Sequence, residues 1–285
     1  METRLWSKTK EVVISDKGPT ILVGERINPT GKQKLSAALK ETDMKLICEE
    51  AVDQIHAGAD ILDVNTGVAG IDDAVVLPQA VQAIMDTVDA PLCLDSNNPK
   101  ALESALKVCQ CKPLMNSVTG EEHSLETILP LVKEYGAAVI GLLIDDEGIP
   151  DNSDRRLAIA CKIVERALSL GIPSEDIVID CLVQSVGADT RAVLTTIETI
   201  RKVKSEMGLN ITVGASNGSF GLPDRNLLNS AFLAIAIASG ATCAIADVAK
   251  VRPIVLAADL LMGYDKFARR YIQAYKQRQQ QSTNE

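Results

Sequence analysis

The chain has 285 residues, and 38 acidic against 29 basic side chains give it a formal net charge of −9. The acidic balance argues against a nucleic-acid partner, since phosphates attract clustered Lys and Arg, and one Trp, four Tyr and three Phe are too few for a stacking platform. With only two His, a histidine-rich metal site and a histidine-centred catalytic triad are also disfavoured.

Short apolar runs alternate with longer amphipathic stretches along the chain. We predict strands in the runs at 21–26, 61–65, 92–95, 113–117, 138–144, 177–182, 211–216 and 241–246. We predict helices between them at 34–57, 72–88, 99–109, 126–136, 153–169, 189–206, 225–239 and 250–262. Each run is almost continuously apolar, which is typical of strands that are buried on both faces of a parallel sheet.

This alternation predicts an α/β protein with a single (β/α)8 TIM barrel. We expect the barrel to occupy residues 1–264, and residues 265–285 to form a short extension made of a C-terminal helix and a frayed tail. A doubly wound sheet is the alternative. Its first turn usually reads GxGxxG, whereas the turn after the first predicted strand here reads GERINPTG.

The seven cysteines lie mostly inside apolar runs. We expect them to be reduced core residues that hold no metal, because Cys109 and Cys111 have no second cysteine pair nearby. The N-terminus lacks the apolar segment of a signal peptide, and no apolar stretch approaches membrane length. We therefore expect a soluble, cytoplasmic protein without a membrane partner.

Polar side chains lie at the end of every predicted strand, where a barrel of this kind places its active site. They are mostly Asp and Asn: Glu25, Asn28, Asp63, Asn65, Asp95, Asn97, Asn116, Asp145, Asp146, Asp180, Ser216, Asn217 and Asp247. Many of them are explained equally well as turn formers or helix caps, and Asn98 before Pro99 is a strong cap signal. Capping does not explain the acids inside apolar runs, since a buried carboxylate needs a partner.

The composition of these strand ends restricts the ligand. Few cations accompany the acids, so their partner is expected to be a molecule rich in N–H donors. A carboxylate accepts two parallel N–H bonds from an amidine-like edge, and an Asn amide pairs with an adjacent amide edge. A pterin, a guanine or a similar heterocycle presents both edges, whereas Ser216 to Ser219 offer only a weak phosphate site.

Several motifs resemble, in order, the pterin-binding methyltransferase family. They are GERINPTG, ADILDVNTG, LCLDSNNP, LMNSVTGE, VIDCLV and VGASNGSFGLPDRNLLNSAFLAIAIASGA, and they extend from about residue 21 to residue 262. The family includes methyltetrahydrofolate:corrinoid protein methyltransferases and the folate domain of cobalamin-dependent methionine synthase. The chain also resembles dihydropteroate synthase in fold. It departs from that enzyme in two places, since ASNGSF replaces a basic SRK-type motif and the MH motif after the fifth strand is missing.

The resemblance implies specific roles for the strand-end residues. Asp95, Asn116 and Asp180 match residues that bind the pterin ring, and Asp63 matches a carboxylate at the base of the pocket. Asn217 matches the catalytic asparagine that approaches N5 of the pterin. Four further positions match residues near the pterin: Asn28, Asn97, Ser216 and Arg225.

The resemblance thus implies a methyltransferase that moves a methyl group between a methylcorrinoid protein and N5 of tetrahydrofolate. Tetrahydrofolate and methyltetrahydrofolate are then substrates. The corrinoid is expected on a separate partner protein, because the chain shows no DxHxxG-type corrinoid motif. We also expect a homodimer. Two alternatives remain at this point, a dihydropteroate-synthase-like enzyme and a non-catalytic folate-binding barrel.

Overall fold

The computed structural model describes residues 1–283, with the side chains of residues 1–280. A hairpin of β1 (Glu2–Trp6) and β2 (Glu11–Ser15) opens the chain. Eight parallel strands follow in one sheet. They are β3 (Ile21–Ile27), β4 (Ile61–Asn65), β5 (Leu92–Asp95), β6 (Leu114–Thr119), β7 (Ala138–Leu142), β8 (Ile177–Asp180), β9 (Asn210–Thr212) and β10 (Cys243–Ala246).

The parallel sheet closes on itself. The strand order begins at β10, continues with β3 and runs in sequence to β9. Backbone bonds then join β9 to β10, since Thr242 N donates to Ile211 O at 2.9 Å and Ile245 N donates to Val213 O at 3.0 Å. The predicted (β/α)8 barrel is confirmed.

Helices surround the barrel and follow its strands. They are α1 (Gln33–Lys40), α2 (Lys45–Ala57), α3 (Asp73–Thr87), α4 (Pro99–Val108), α5 (Glu122–Tyr135), α6 (Ser153–Ser169), α7 (Ala192–Met207), α8 (Arg225–Ser239), α9 (Val248–Leu261) and α10 (Arg269–Thr283). Asn98 caps α4 as predicted, because its Oδ1 accepts the N–H of Lys100 at 3.1 Å and Pro99 occupies the first turn. Among the described residues, none of the helices combines the length and apolar character that a membrane span requires.

The structure departs from the sequence prediction most clearly in four places. The helix predicted at 34–57 is two helices, because Thr42 adopts a φ of 54° that ends the first of them. The helix predicted at 126–136 begins earlier, at Glu122. The strand predicted at 211–216 ends at Thr212, so Ser216 and Asn217 lie in a loop. The N-terminal hairpin was not predicted.

The C-terminal helix α10 lies beside α9. Arg270 Nη1 donates to Asp259 Oδ2 at 3.1 Å, and Ala274 is buried. The frayed end of the tail stays a prediction, because residues 284–285 lie outside the described residues. The division of the chain at residue 264 stays a prediction.

Alternate residues of each barrel strand point into the barrel, and this period of two explains where the polar site lies. Val23, Ile61, Cys93, Leu114 and Val178 form an apolar interior together with Leu5, Val12 and Ile14 of the hairpin, which covers the floor. The residue two places after each of the five strand residues is polar: Glu25, Asp63, Asp95, Asn116 and Asp180. The interior of the barrel therefore changes from apolar to polar toward the carboxyl ends of the strands.

Candidate active site

The polar end of the barrel is held together by hydrogen bonds between neighbouring strands. Asn65, Asp95 and Asn116 are paired in register across β4, β5 and β6. Asn65 Nδ2 donates to Asp95 Oδ2 at 2.9 Å, and Asn116 Nδ2 donates to Asp63 Oδ1 at 3.3 Å. We call these residues, with Asp180, the polar layer.

The carboxylates of the polar layer have raised pKa values. Burial raises the pKa of Asp63 well above its ordinary value, and the nearby charge of Asp95 raises it further. Burial also raises the pKa of Asp95 to about 6, although the N–H bond from Asn65 opposes that rise. These carboxylates have too few donors in the protein to satisfy their charged forms. A ligand that supplies N–H donors would stabilise those forms.

Asp180 ends β8, and its carboxylate also has too few hydrogen-bond donors within the protein. Burial raises its pKa to about 6, while the N–H of Leu182, which donates to Oδ1 at 2.8 Å, and the nearby charge of Arg156 oppose the rise. The Arg156 side chain is itself 1% exposed and donates from Nη1 to the carbonyl oxygens of Cys181 and Leu182. Arg156 therefore fixes the backbone at the strand end, whereas Asp180 keeps acceptor capacity for a ligand.

The opposite side of the barrel mouth carries a second group of predicted residues. Ser216 Oγ donates to Glu25 Oε1 at 2.6 Å, and Arg225 donates from Nη2 to Ser216 O at 2.7 Å and from Nε to Ser219 Oγ at 3.1 Å. A groove with a volume of about 590 Å³ lies here, between the loop after β3 and the loop after β9. Asn28, Ser216 and Arg225 line it.

Asn217, the predicted catalytic residue, is exposed in the loop after β9. Its side chain lies over Gly214, because a Cβ atom at that glycine would come within 2.9 Å of Asn217 Nδ2. Gly214 pairs with Ile245 of β10, so Asn217 stands above the closure of the barrel. Glycine at position 214 therefore leaves room for the Asn217 amide at the barrel mouth.

Two predicted residues are less involved in these contacts. Asn97 is exposed in the loop after β5, and no hydrogen bond joins its side chain to the described part of the site. Asn28 lines the groove, but its Oδ1 already accepts the N–H of Thr30 at 3.0 Å. This hydrogen bond shows that Asn28 forms a turn, which is one of the two explanations that the sequence allows for it.

Glu25 and Asn65 are members of the site to which sequence analysis gave no role. Glu25 is largely buried, and its pKa is raised by that burial even though Ser216 donates to it. Its charge also contributes to the raised pKa of Asp63, so it connects the groove with the polar layer. The signal was available, since Glu25 and Asn65 fall on the inward-facing positions of their strands.

The described cysteines and acids form no metal centre. All seven cysteines are free, and Cys93, Cys181 and Cys243 are buried. Among the residues that the structure describes, no group of three or more His, Cys, Asp or Glu side chains is arranged to hold a metal ion.

Known proteins are similar to this chain over most of its length. The family model of pterin-binding enzymes matches residues 24–247. A methylcorrinoid:tetrahydrofolate methyltransferase of Eubacterium limosum is 30% identical over 90% of this chain and 96% of its own length. A methionine synthase of Mycobacterium leprae (strain TN) is 28% identical over 85% of this chain, which spans only 21% of that longer protein.

Solved structures support the fold independently. A dihydropteroate synthase of Xanthomonas albilineans superimposes with a TM-score of 0.71 at 16% sequence identity, covering 92% of this chain and 98% of its own. At this level of identity the likeness is evidence for the shared barrel alone.

Proposed function

We propose a methyl-transfer reaction for this chain, which belongs to the family of pterin-binding enzymes. The chain is a methyltransferase, as its 30% identical relative is. In the proposed reaction, the methyl group moves between a methylcorrinoid and N5 of tetrahydrofolate. The folate is a substrate, and the corrinoid arrives on a separate protein.

The polar layer is the observation that carries the proposal. A 2-amino-4-oxopyrimidine ring presents N–H donors along one edge, and Asp63, Asp95 and Asp180 are acceptors short of donors. The Asn116 amide offers a donor and an acceptor beside them, and its Nδ2 already holds Asp63. We propose that these four residues bind the pterin ring and that Asn28, Asn97, Ser216 and Arg225 lie near it.

The chemistry at N5 needs only alignment and one proton. The lone pair of N5 forms a bond to the methyl carbon, the cobalt–carbon bond breaks with its electron pair remaining on cobalt, and N5 then releases its proton. In the reverse direction N5 must gain that proton before the methyl group can leave. We propose that the Asn217 amide oxygen accepts a hydrogen bond from protonated N5. Positioning two large reactants then supplies most of the rate enhancement.

The exposed mouth of the barrel is the proposed docking surface for the corrinoid protein. Asn217 is exposed there, and Phe220 in the same loop is 70% exposed. A corrinoid held by a partner can reach N5 only from this side, because the hairpin covers the floor of the barrel. We place the activity in the cytoplasm.

We also propose that the protein is a homodimer. The outward face of α8 is apolar along its length. It carries Leu227, Ala231, Ile235 and Ala238 in this order, and Leu227 is 65% exposed and Ile235 48% exposed. Leu261 of the neighbouring α9 is 86% exposed. An exposed apolar helix face of this kind on a barrel is suited to a symmetric contact with a second copy.

The proposed reaction is tested with methyltetrahydrofolate and cob(I)alamin under anaerobic conditions. We expect the protein to catalyse loss of the cob(I)alamin absorbance, and a corrinoid carrier protein to react faster than the free cofactor. No change in absorbance with either acceptor would contradict the proposal.

The two alternatives predict outcomes of their own. Formation of dihydropteroate and pyrophosphate from a hydroxymethyl-dihydropterin pyrophosphate and p-aminobenzoate would indicate a dihydropteroate synthase. Tight folate binding without transfer to any corrinoid would indicate a binding protein. We expect no dihydropteroate, because ASNGSF stands where that enzyme carries a basic motif.

A further inference from the structure

The groove beside the polar layer contains cations that the methyl transfer at N5 does not use. Its lining includes Arg26, Lys32, Arg225 and Lys250, in a protein with a formal net charge of −9. Glu25 stands at the inner end of the groove and influences Asp63 of the polar layer. Because Glu25 lines the groove and its charge acts on Asp63, the groove lies beside the place proposed for the pterin.

Two of the four cations are already neutralised by carboxylates. Arg26 makes a bidentate pair with Glu50, with N–O distances of 2.8 and 2.9 Å, and also approaches Asp247 at 3.5 Å. Lys250 Nζ lies 3.0 Å from Asp247. Neither of these side chains has its charge available for a ligand without breaking an existing pair.

The other two cations have only uncharged hydrogen-bond partners, although the carboxylate of Glu25 lies near enough to both to interact with their charges. Lys32 Nζ donates to the backbone oxygen of Arg26 at 2.6 Å, and Arg225 donates to Ser216 O and to Ser219 Oγ. Within the described residues, no ion pair joins either side chain to a carboxylate. Burial lowers the pKa of Lys32 and the neighbouring charge of Arg26 lowers it further, while the charges of Glu50, Glu25 and Asp247 oppose this fall; an arriving anion would add to their effect.

We propose that Lys32 and Arg225 bind the glutamate carboxylates of the folate substrate. The inference rests on the proposed function for the identity of the ligand. A folate carries its p-aminobenzoyl-glutamate tail away from the pterin, and the groove leads away from the polar layer between the loops after β3 and β9. The bonds from Arg225 to Ser216 and Ser219 hold its guanidinium in place before the ligand arrives, which lowers the entropic cost of the contact.

Lys32 is the informative position for a test, because Arg225 also supports the loop that carries Asn217. We would compare the wild type with Lys32→Ala, and use Lys45→Ala as a control that removes one positive charge from an exposed helix position. The ligands are methyltetrahydrofolate with five glutamates, the same folate with one glutamate, and a 5-methyltetrahydropterin without a tail. Equilibrium dissociation constants at low and at high salt are the readout, so no turnover is needed.

We expect Lys32→Ala to weaken binding of the pentaglutamate by about tenfold relative to the tailless pterin, as loss of one charged hydrogen bond does. The loss should shrink at high salt, since the groove is open to solvent. Lys45→Ala should leave the preference for the tail as it is in the wild type.

Different results would contradict the inference and the proposed function. Equal affinity of the wild type for tailed and tailless ligands would overturn the inference while leaving methyl transfer intact. An effect of Lys32→Ala on the KM for the corrinoid protein, with folate affinities unchanged, would assign these cations to the partner instead. A tail preference that depends on Lys32 without any methyl transfer would sustain the inference and overturn the proposed reaction.

Discussion

At the scale of single residues, the structure keeps carboxylates at the barrel mouth in an unfavourable environment. Asp95 and Asp180 have their pKa values raised to about 6 by burial, against an ordinary value of 3.8. Between pH 3.8 and about pH 6, such a carboxyl group is largely protonated in the folded protein and largely ionised in the unfolded protein. Folding stability therefore falls as pH rises through that window. The buried carboxylates therefore lower the stability of the fold, and they leave hydrogen-bond acceptors available to a ligand.

Replacing one of these acids should consequently stabilise the fold. We expect Asp180→Asn to raise the free energy of unfolding by about 1 to 3 kcal/mol at pH 8, because burial raises the pKa of Asp180 to about 6 and each pKa unit corresponds to about 1.4 kcal/mol; the lower end of the range allows for the half-buried position of the residue. The amide oxygen still accepts the N–H of Leu182. Urea unfolding at pH 8 and at pH 4 measures the effect, which should disappear at the lower pH. Destabilisation at pH 8 would show that the charge of Asp180 is satisfied in the folded protein.

The same groups determine how folate binding depends on pH. The charged carboxylates of Asp95 and Asp180 are the forms that accept N–H donors, so affinity for methyltetrahydrofolate should fall as pH is lowered through about 6. Titration of binding between pH 5 and pH 8 tests this, and Asp95→Asn should flatten the profile. An affinity that is independent of pH in the wild type would remove these acids from the binding site.

The residue scale also shows which parts of the site the sequence could predict. The sequence predicted Asp63, Asp95 and Asp180, because an acid inside an apolar run has no structural explanation in a strand. It gave no role to Glu25 or to Lys32, because the partner of Glu25 is Ser216, 191 residues away, and the groove beside Lys32 forms between two distant loops. Contacts of that range follow from the closure of the barrel, which local patterns do not encode.

At the scale of elements, the N-terminal hairpin is the main departure from the predicted fold. Leu5, Val12 and Ile14 complete the apolar interior of the barrel, and Asn210 Nδ2 at the start of β9 donates to Ile14 O at 2.8 Å. Buried and exposed positions alternate along β1, but the buried Thr3 is polar and the exposed Trp6 is apolar, so the sequence carries only a weak strand signal there. The predicted strands of the barrel were identified with more success, because each is apolar on both faces.

The hairpin should contribute to stability as part of the core. We expect Leu5→Ala to lower the free energy of unfolding by about 2 to 5 kcal/mol, since Leu5 is fully buried and its removal leaves a cavity under the barrel. Arg4→Ala is the matched control, because this neighbouring side chain is exposed and pairs only with Glu2 and Glu11 on the surface. Chemical unfolding followed by circular dichroism measures both. Equal effects of the two variants would indicate that the hairpin does not form part of the core.

At the scale of the whole molecule, the proposed dimer follows from the apolar face of α8. We expect Ile235→Glu to convert a dimer to a monomer in sedimentation equilibrium, because two buried carboxylates would oppose each other across the symmetric contact. Val75→Glu introduces the same charge at a similarly exposed apolar position on α3, on another side of the barrel, and should leave the dimer intact. A wild type that sediments as a monomer would contradict the proposed assembly.

The central claim is that the barrel presents N5 of a bound pterin to a methylcorrinoid at the mouth where Asn217 stands. The most direct measurement is a single turnover in which a corrinoid protein carrying a ¹³C-labelled methyl group reacts with tetrahydrofolate. We expect the label to appear on N5 in the NMR spectrum of the product, with Asn217→Ala slowing the transfer about a hundredfold while folate affinity changes little, as loss of a transition-state hydrogen bond does. Label that stays on the corrinoid in the presence of wild-type protein and bound folate would contradict the claim.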